Sequence, residues 1–157
     1  MTARLDLLHT RAGATVVRHL VAAVQAVAES PLPRTVQELV KIRVSQINGC
    51  AFCVDMHTKE AAHAGEDPTR INLVAAWREA TVFTDAERAA LELAEQATRI
   101  ADAAGGVPEG MWRAAAAHYD DEALAALVGL VAIMNAFNRG NVAVAQPAGD
   151  YRVGLPA

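Results

Sequence analysis

Apolar residues recur at the three-to-four-residue spacing of an α-helix along most of the chain. No segment shows the alternation of a β-strand bounded by turns. The spacing is clearest at Val16, Leu20, Val24 and Val27, and again at Val36, Leu39, Val40, Val44 and Ile47. The core must consist of small side chains, because 53% of the residues are hydrophobic and only 4% are aromatic. Small side chains let helices pack closely, so the pattern predicts an all-α fold.

Turn and cap signals divide the chain into about seven helices with short connections. Asn48-Gly49 and Gly65 are helix-ending signals, and Thr84 with Glu87 has the spacing of a capping box. The expected helices cover residues 11–30, 34–47, 50–64, 67–77, 84–103, 108–119 and 121–145. We find no repeat, linker or domain boundary, so residues 1–157 are expected to form a single domain.

Composition excludes several classes of function. A net charge of −4 without a basic run argues against a nucleic-acid partner. The longest apolar stretch, residues 123–137, is about fifteen residues long, short of the roughly twenty that a membrane-spanning helix needs. The first residues lack the apolar region of a signal peptide. We therefore expect a cytoplasmic protein with no membrane partner, in a reducing compartment.

The chain has two cysteines, Cys50 and Cys53, which form a C-x-x-C pair, and His57 follows four residues after the second. If residues 50–64 are helical, each residue turns by about 100°, which places Cys53 at about −60° and His57 at about −20° from Cys50. The three side chains then project from one helix face. Glu38, on the preceding helix, would complete a proton relay if the two helices pack together.

The position of the pair within its helix also favours reactivity. Asn48-Gly49 breaks the preceding helix, so the cysteines are expected in the first turn of a new one. The free N–H groups and the helix dipole at that end favour an anion such as a thiolate. A lowered thiol pKa at helix N-termini and in C-x-x-C pairs is the physical basis of redox reactivity.

Three interpretations of this group of residues remain open from the residues alone. The cysteines could be inert, buried small hydrophobes. Alternatively, Cys50, Cys53, His57 and Glu38 could hold zinc in a non-catalytic helical oligomer, although structural zinc sites usually use paired motifs that this chain lacks. In the third interpretation the cysteines perform dithiol–disulfide chemistry. One thiolate attacks the substrate, the second thiol resolves the product, and His57 accepts the thiol proton.

The segment from Ile47 to Ala61 resembles the core of the alkylhydroperoxidase D (AhpD)-like branch of the carboxymuconolactone decarboxylase superfamily. Glu38–Arg43 fits the same pattern, with the acid at the expected distance from the cysteines. Ala75–Glu79, Phe83–Leu91 and Asn135–Arg139 are also similar to single-domain members. The resemblance implies an AhpD-like helical bundle, homo-oligomers (trimers or hexamers) and thiol-dependent peroxidase activity.

The resemblance also implies a role for each residue of the site. The catalytic acid, the two cysteines and the histidine of the family fall on Glu38, Cys50, Cys53 and His57. By the same resemblance, Cys53 meets the peroxide and Cys50 resolves it, whereas helix geometry alone favours Cys50 as the reactive thiol. The substrate would be an organic hydroperoxide, with no cofactor or metal. An external dithiol would be the reductant, and the resemblance implies a lipoyl-bearing protein.

One position departs from the peroxidase prototype of this family. The prototype has a second histidine immediately before the second cysteine, where this chain has Phe52. The relay thus lacks one proton carrier, which motivates the alternative of a disulfide reductase or redox sensor with weak peroxidase activity. Lactone decarboxylation is disfavoured, because decarboxylase members of the superfamily lack the C-x-x-C pair.

Overall fold

The computed structural model describes residues 2–103 and 105–154, and these form seven α-helices and one 3₁₀ turn, with no β-strand among them. The predicted all-α class and helix number are confirmed. The helices are α1 (Arg11–Ala28), α2 (Arg34–Ile47), α3 (Ala51–His63), α4 (Pro68–Leu73), α5 (Asp85–Thr98), α6 (Glu109–Ala116) and α7 (Asp121–Ala143). The 3₁₀ turn covers Val74–Ala76 and continues from α4.

Helix α2 lies at the centre and packs against α3, α5 and α7. Residues on its two apolar faces belong to two separate core clusters. Val40 packs with residues of α5 and α7 such as Leu93 and Leu127, while Leu39 packs with Trp77 and Leu91. Burying a side chain of this size stabilises the fold by roughly 1.5–3 kcal/mol. Because α2 is held on both faces, it is a rigid support for the helix that follows it.

Helices α5 and α6 end before the positions that the sequence pattern predicts, and the expected 67–77 helix is divided into α4 and the 3₁₀ turn. The expected extension of α5 to about residue 103 is wrong, because α5 ends at Thr98. The carbonyl of Arg99 accepts hydrogen bonds from Asp102 and Ala103, which close a turn, and Ile100 is 59% exposed. Without apolar contacts beyond Thr98, helix propensity alone does not prolong the helix. Similarly, α6 ends at Ala116 rather than near residue 119.

The capping box predicted at the start of α5 is present. The Thr84 hydroxyl accepts from the Glu87 N–H at 3.3 Å, and the Glu87 carboxylate accepts from the Thr84 N–H at 2.8 Å. Glu87 is also paired with Arg70 of α4. Glu87 therefore caps the start of α5 and also joins α5 to α4.

Helix α7 is the one helix of the described part of the chain that is long and apolar enough to cross a membrane. Half of its apolar window is buried inside the fold. Leu127, Leu130, Val131 and Met134 belong to the core. A core helix passes the same test of length and composition, so this feature does not indicate a membrane protein.

Candidate functional site

The two cysteines are joined by a disulfide at the N-terminus of α3, with their Cα atoms 5.3 Å apart. Cys50 is the N-cap residue, and its sulfur accepts a hydrogen bond from the Cys53 N–H at 3.3 Å. Gly49 makes this arrangement possible: its φ of 66° lies in the left-handed region, which glycine enters without strain. Both cysteines are only 1% exposed, so the disulfide is enclosed by the fold.

His57 is also buried, one helical turn after Cys53 on the same side of α3. Burial, together with the nearby positive charge of Lys41, lowers the pKa of His57 from 6.5 to about 3. The imidazole is thus neutral at neutral pH in the disulfide form. Among the described residues, its Nε2 atom has no hydrogen-bond partner. A buried polar atom without a partner is unusual in a folded protein, and the indole Nε1 atom of Trp77 shares this state among the described residues.

Glu38 lies on α2 and pairs with Lys41, with 2.8 Å between Oε1 and Nζ. Both side chains are largely buried, at 12% and 11% exposure. The second carboxylate oxygen, Oε2, has no partner in the described part of the chain. No hydrogen bond joins Glu38 to His57 within residues 2–103 and 105–154. The structure therefore brings the predicted acid and base onto two packed helices, α2 and α3.

Two side chains beside the site were missed in the sequence. Lys41 holds Glu38 and lies close enough to His57 to affect its charge. Asn141, in the last turn of α7, directs its Nδ2 atom at the Cys53 sulfur, 3.4 Å away. Sequence signals exist for both. Lys41 lies on an apolar stripe three residues after an acid, and Asn141 follows Asn138 by three residues on an apolar helix.

A group of side-chain amides connects the turn before α3 to helix α7. The Asn48 Nδ2 atom donates to Asn135 Oδ1 at 3.1 Å, and it lies 2.9 Å from the amide of Asn138. Asn138 in turn lies 3.2 Å from the hydroxyl of Ser45, and Asn135 donates to the hydroxyl of Thr98 at 3.3 Å. Asn135 and Asn138 lie on the apolar helix α7, and both find partners inside the subunit. They fix the end of α2 against α7.

The outer face of α3 is covered by residues 148–151, which we call the C-terminal strap. The Asp55 carboxylate accepts from the N–H groups of Gly149 at 2.9 Å and Tyr151 at 3.3 Å. Lys59 donates to the carbonyls of the same two residues. Phe52 contacts the Tyr151 ring edge to face, with centroids 6.4 Å apart. The residue that replaces the prototype histidine therefore packs against the strap.

An open cleft of about 620 Å³ lies beside the start of α3. Its lining includes Gln46, Ala51, Val54, Thr58 and Ala148. Neither cysteine nor His57 is among the described residues that line it. The cleft follows a neighbouring face of α3, so it does not give a substrate direct access to the sulfurs.

The zinc interpretation finds no support in this geometry. Both thiols are used in the disulfide, and the Glu38 carboxylate is paired with Lys41. Within the described ranges, no three His, Cys, Asp or Glu side chains come together in a way that could hold a metal ion. The donor set therefore does not fit a zinc site.

Comparisons with known proteins agree with the fold and the site. Residues 12–96, more than half of the 157-residue chain, match the model of the carboxymuconolactone decarboxylase family. The uncharacterized protein YdfG of Bacillus subtilis is 42% identical over 120 residues, which cover 76% of this chain and 80% of YdfG. The matched regions include the cysteine pair.

Solved structures extend the likeness to the whole fold. A protein of unknown function from Agrobacterium tumefaciens, described as of the AhpD antioxidant-defence type, superposes with a TM-score of 0.87 and 33% identity. The match covers 96% of this chain and 100% of that chain. The debrominase Bmp8 shares the fold alone, with a TM-score of 0.76 and 16% identity over 92% of this chain and 76% of Bmp8.

A seven-helix fold with a buried C-x-x-C disulfide at a helix N-terminus defines an AhpD-like protein. The chain belongs to the carboxymuconolactone decarboxylase family.

Proposed function

We propose that the protein is a thiol-dependent, peroxidase-like oxidoreductase that reduces organic hydroperoxides through a Cys50–Cys53 dithiol/disulfide cycle. One observation carries this proposal: the two sulfurs are bonded to each other beside a buried, neutral imidazole. A disulfide that spans three residues cannot cross-link distant parts of the fold, so its chemistry is a better explanation than stability.

The cycle begins with the reduced protein. The Cys53 thiolate attacks one oxygen of the hydroperoxide, the O–O bond breaks, and the departing alkoxide takes a proton to become an alcohol. Cys53 is then a sulfenic acid. The Cys50 thiol attacks its sulfur, the S–O bond breaks, and water leaves as the disulfide forms. An external dithiol restores both thiols by supplying two electrons and two protons.

His57 and Glu38 are proposed to carry the protons. In the reduced protein His57 can take the proton of the Cys53 thiol at its unpartnered Nε2 atom, because a thiolate beside it offsets the cost of a buried imidazolium. Glu38 has an unpartnered Oε2 atom on the adjacent helix. A small movement or an intervening water would connect the two groups. Lys41 holds the other carboxylate oxygen, Oε1, at 2.8 Å from its Nζ atom.

The remaining features of the proposal concern partners and assembly. The reductant is an external dithiol, and a lipoyl-bearing protein fits that chemistry. We also propose a cytoplasmic homo-oligomer, a trimer or hexamer. Support comes from apolar side chains that stay exposed on α1 and α7, among them Val16 at 57%, Val21 at 43% and Val142 at 48%. Contact between subunits would remove this surface from water.

Steady-state assays with cumene hydroperoxide and dihydrolipoamide test the peroxidase function. The wild type should consume hydroperoxide, and Cys53→Ser should lose turnover while it keeps the helical circular dichroism and the thermal midpoint of the wild type. Cys50→Ser should also lose turnover, but it should react once to give a Cys53 sulfenic acid. Unchanged hydroperoxide consumption by Cys53→Ser would exclude the proposed role.

A disulfide reductase or redox sensor is the second candidate. Two observations favour it: Phe52 stands where the prototype has a histidine, and both sulfurs are 1% exposed, which restricts bulky hydroperoxides. Reduction potential and hydroperoxide turnover, measured together, separate the candidates. A disulfide that forms rapidly without catalytic turnover supports the sensor, and sustained turnover supports the peroxidase.

A further inference from the structure

The amide of Asn141 donates a hydrogen bond to the Cys53 sulfur, at 3.4 Å from Nδ2 to Sγ. The two residues are 88 positions apart, so the contact exists only because α7 packs against α3. Asn141 lies outside residues 12–96, the part of the chain that matches the family model. The Cys50 sulfur has a different donor, the backbone N–H of Cys53.

We infer that Asn141 stabilises the Cys53 thiolate and thereby selects Cys53 as the reactive thiol of the pair. This inference rests on the dithiol cycle proposed above. A thiolate is a much stronger hydrogen-bond acceptor than a thiol or a disulfide sulfur, so a donor held at this distance favours the ionised form. The effect matters here because burial, taken alone, raises the pKa of a thiol.

Asn141 supplies a neutral hydrogen-bond donor, which the ionisable groups of the site do not. The ionisable groups are Glu38 and Lys41 on α2 and His57 on α3. Each of these changes charge or pairs with another charge during the cycle, whereas an amide donates a hydrogen bond at every pH. A neutral donor can stabilise the thiolate without competing with His57 for the proton.

The contact with Asn141 also bears on which of the two cysteines is the reactive thiolate. The helix terminus favours Cys50, whose sulfur already caps the first turn of α3. Asn141 favours Cys53, because it adds a side-chain donor that Cys50 lacks among its described contacts. If the hydrogen bond from Asn141 determines which thiol is ionised, replacing Asn141 should raise the pKa of Cys53 and leave the pKa of Cys50 unchanged.

The test uses reduced single-cysteine proteins, Cys50→Ser and Cys53→Ser, each with Asn141 intact or replaced by leucine, which has nearly the same shape. Thiol pKa values are measured from the pH dependence of thiolate absorbance and of alkylation rate. We expect Asn141→Leu to raise the pKa of Cys53 by about one unit, because a hydrogen bond to a charged group is lost. The pKa of Cys50 in the Cys53→Ser protein should move by no more than a few tenths.

Asn141→Asp provides a second variant of the same size. Its carboxylate puts a negative charge beside the sulfur, so the pKa of Cys53 should rise further than with leucine. Equal shifts at both cysteines, or no shift at Cys53 in either variant, would overturn the inference. The titration contains no hydroperoxide, so a protein without peroxidase turnover can still show the Cys53 shift. Failure of the proposed peroxidase function is therefore distinguishable from failure of the inference about Asn141.

Discussion

Buried carboxylates occur on both α2 and α5, and their surroundings differ. Glu95 on α5 is 4% exposed and accepts hydrogen bonds from Arg43 and Arg78 through both of its oxygens. Burial alone would raise its pKa, but the two guanidinium groups outweigh that cost and hold the pKa of Glu95 below its usual value. Glu38 on α2 has one oxygen paired with Lys41 and one that has no partner in the part of the chain that the structure describes.

The difference separates a charge cluster with paired groups from the group to which we assign proton transfer. Both oxygens of Glu95 accept from guanidinium groups, and Arg43 forms its ion pair with this carboxylate inside the subunit. Around Glu38 and His57, two buried side-chain atoms have no partner among the described residues, and a buried polar atom without a hydrogen bond costs free energy. The α5 cluster therefore holds helices together, and the α2–α3 group is the one to which we assign the proposed proton transfer.

Among substitutions outside the cysteine pair, His57→Asn should have the largest effect on activity. Loss of the base is expected to slow hydroperoxide-dependent disulfide formation by about a hundredfold or more, the usual range for general acid–base catalysis. Stopped-flow measurement of disulfide formation provides the rate. His63→Asn, an exposed change on the same helix, is the matched control and should react like the wild type. Equal rates for the two variants would remove His57 from the mechanism.

Glu95→Ala should have the largest effect on stability. It leaves the largely buried Arg43 without its counter-ion, which we expect to lower the free energy of unfolding by about 3 kcal/mol. Urea unfolding of the oxidised protein measures the change. Glu92 lies on α5 like Glu95 and pairs with the half-exposed Arg78. Glu92→Ala should therefore cost less than about 1 kcal/mol. Similar losses in both variants would contradict the distinction between the two regions.

Stability should also depend on pH through His57. Burial lowers the pKa of His57 to about 3, whereas an unfolded chain binds this proton near pH 6.5. Between these values the unfolded state holds one more proton, so stability falls as the pH falls. The oxidised protein should lose on the order of 2 kcal/mol from this group between pH 7 and pH 5. Urea unfolding of His57→Asn should lack that part of the loss, and an unchanged pH profile would show that the imidazole is not buried in neutral form.

The smallest effect is expected at the strap on the outer face of α3. Hydrogen bonding by Lys59, and by the backbone N–H groups of the strap, lowers the pKa of Asp55. Asp55→Asn weakens these contacts and should cost about 0.5–1 kcal/mol. Limited proteolysis should then cut the strap faster than in Asp150→Asn, which changes an exposed residue of the same segment. Equal cleavage rates would mean that Asp55 does not hold the strap.

Local signals in the sequence predict most of the helices. Gly49 and the Thr84 capping box specify helix ends through backbone conformation and hydrogen bonds only a few residues apart. The same local geometry places Cys50, Cys53 and His57 together on α3. The end of α5 was overestimated because the packing that stops at Thr98 is not visible in a helical pattern.

The partners of the site could not be predicted in the same way. Asn141 and Cys53 are 88 residues apart, and Arg43 and Glu95 are 52 apart. Such contacts depend on how α7 and α5 pack against α2 and α3, which local periodicity does not specify. Glu38 was correctly placed on a helix beside α3, but its pairing with Lys41 is a choice between competing partners that only the packed structure reveals.

Counting free thiols before and after one equivalent of an organic hydroperoxide tests the central claim most directly. The reduced wild type has two cysteines, and the account predicts that both thiols disappear together as the Cys50–Cys53 disulfide forms. In the single-cysteine proteins, Cys53 should be oxidised and Cys50 should remain a thiol. If the wild type keeps both thiols, or if Cys50 alone reacts, the proposed chemistry is contradicted.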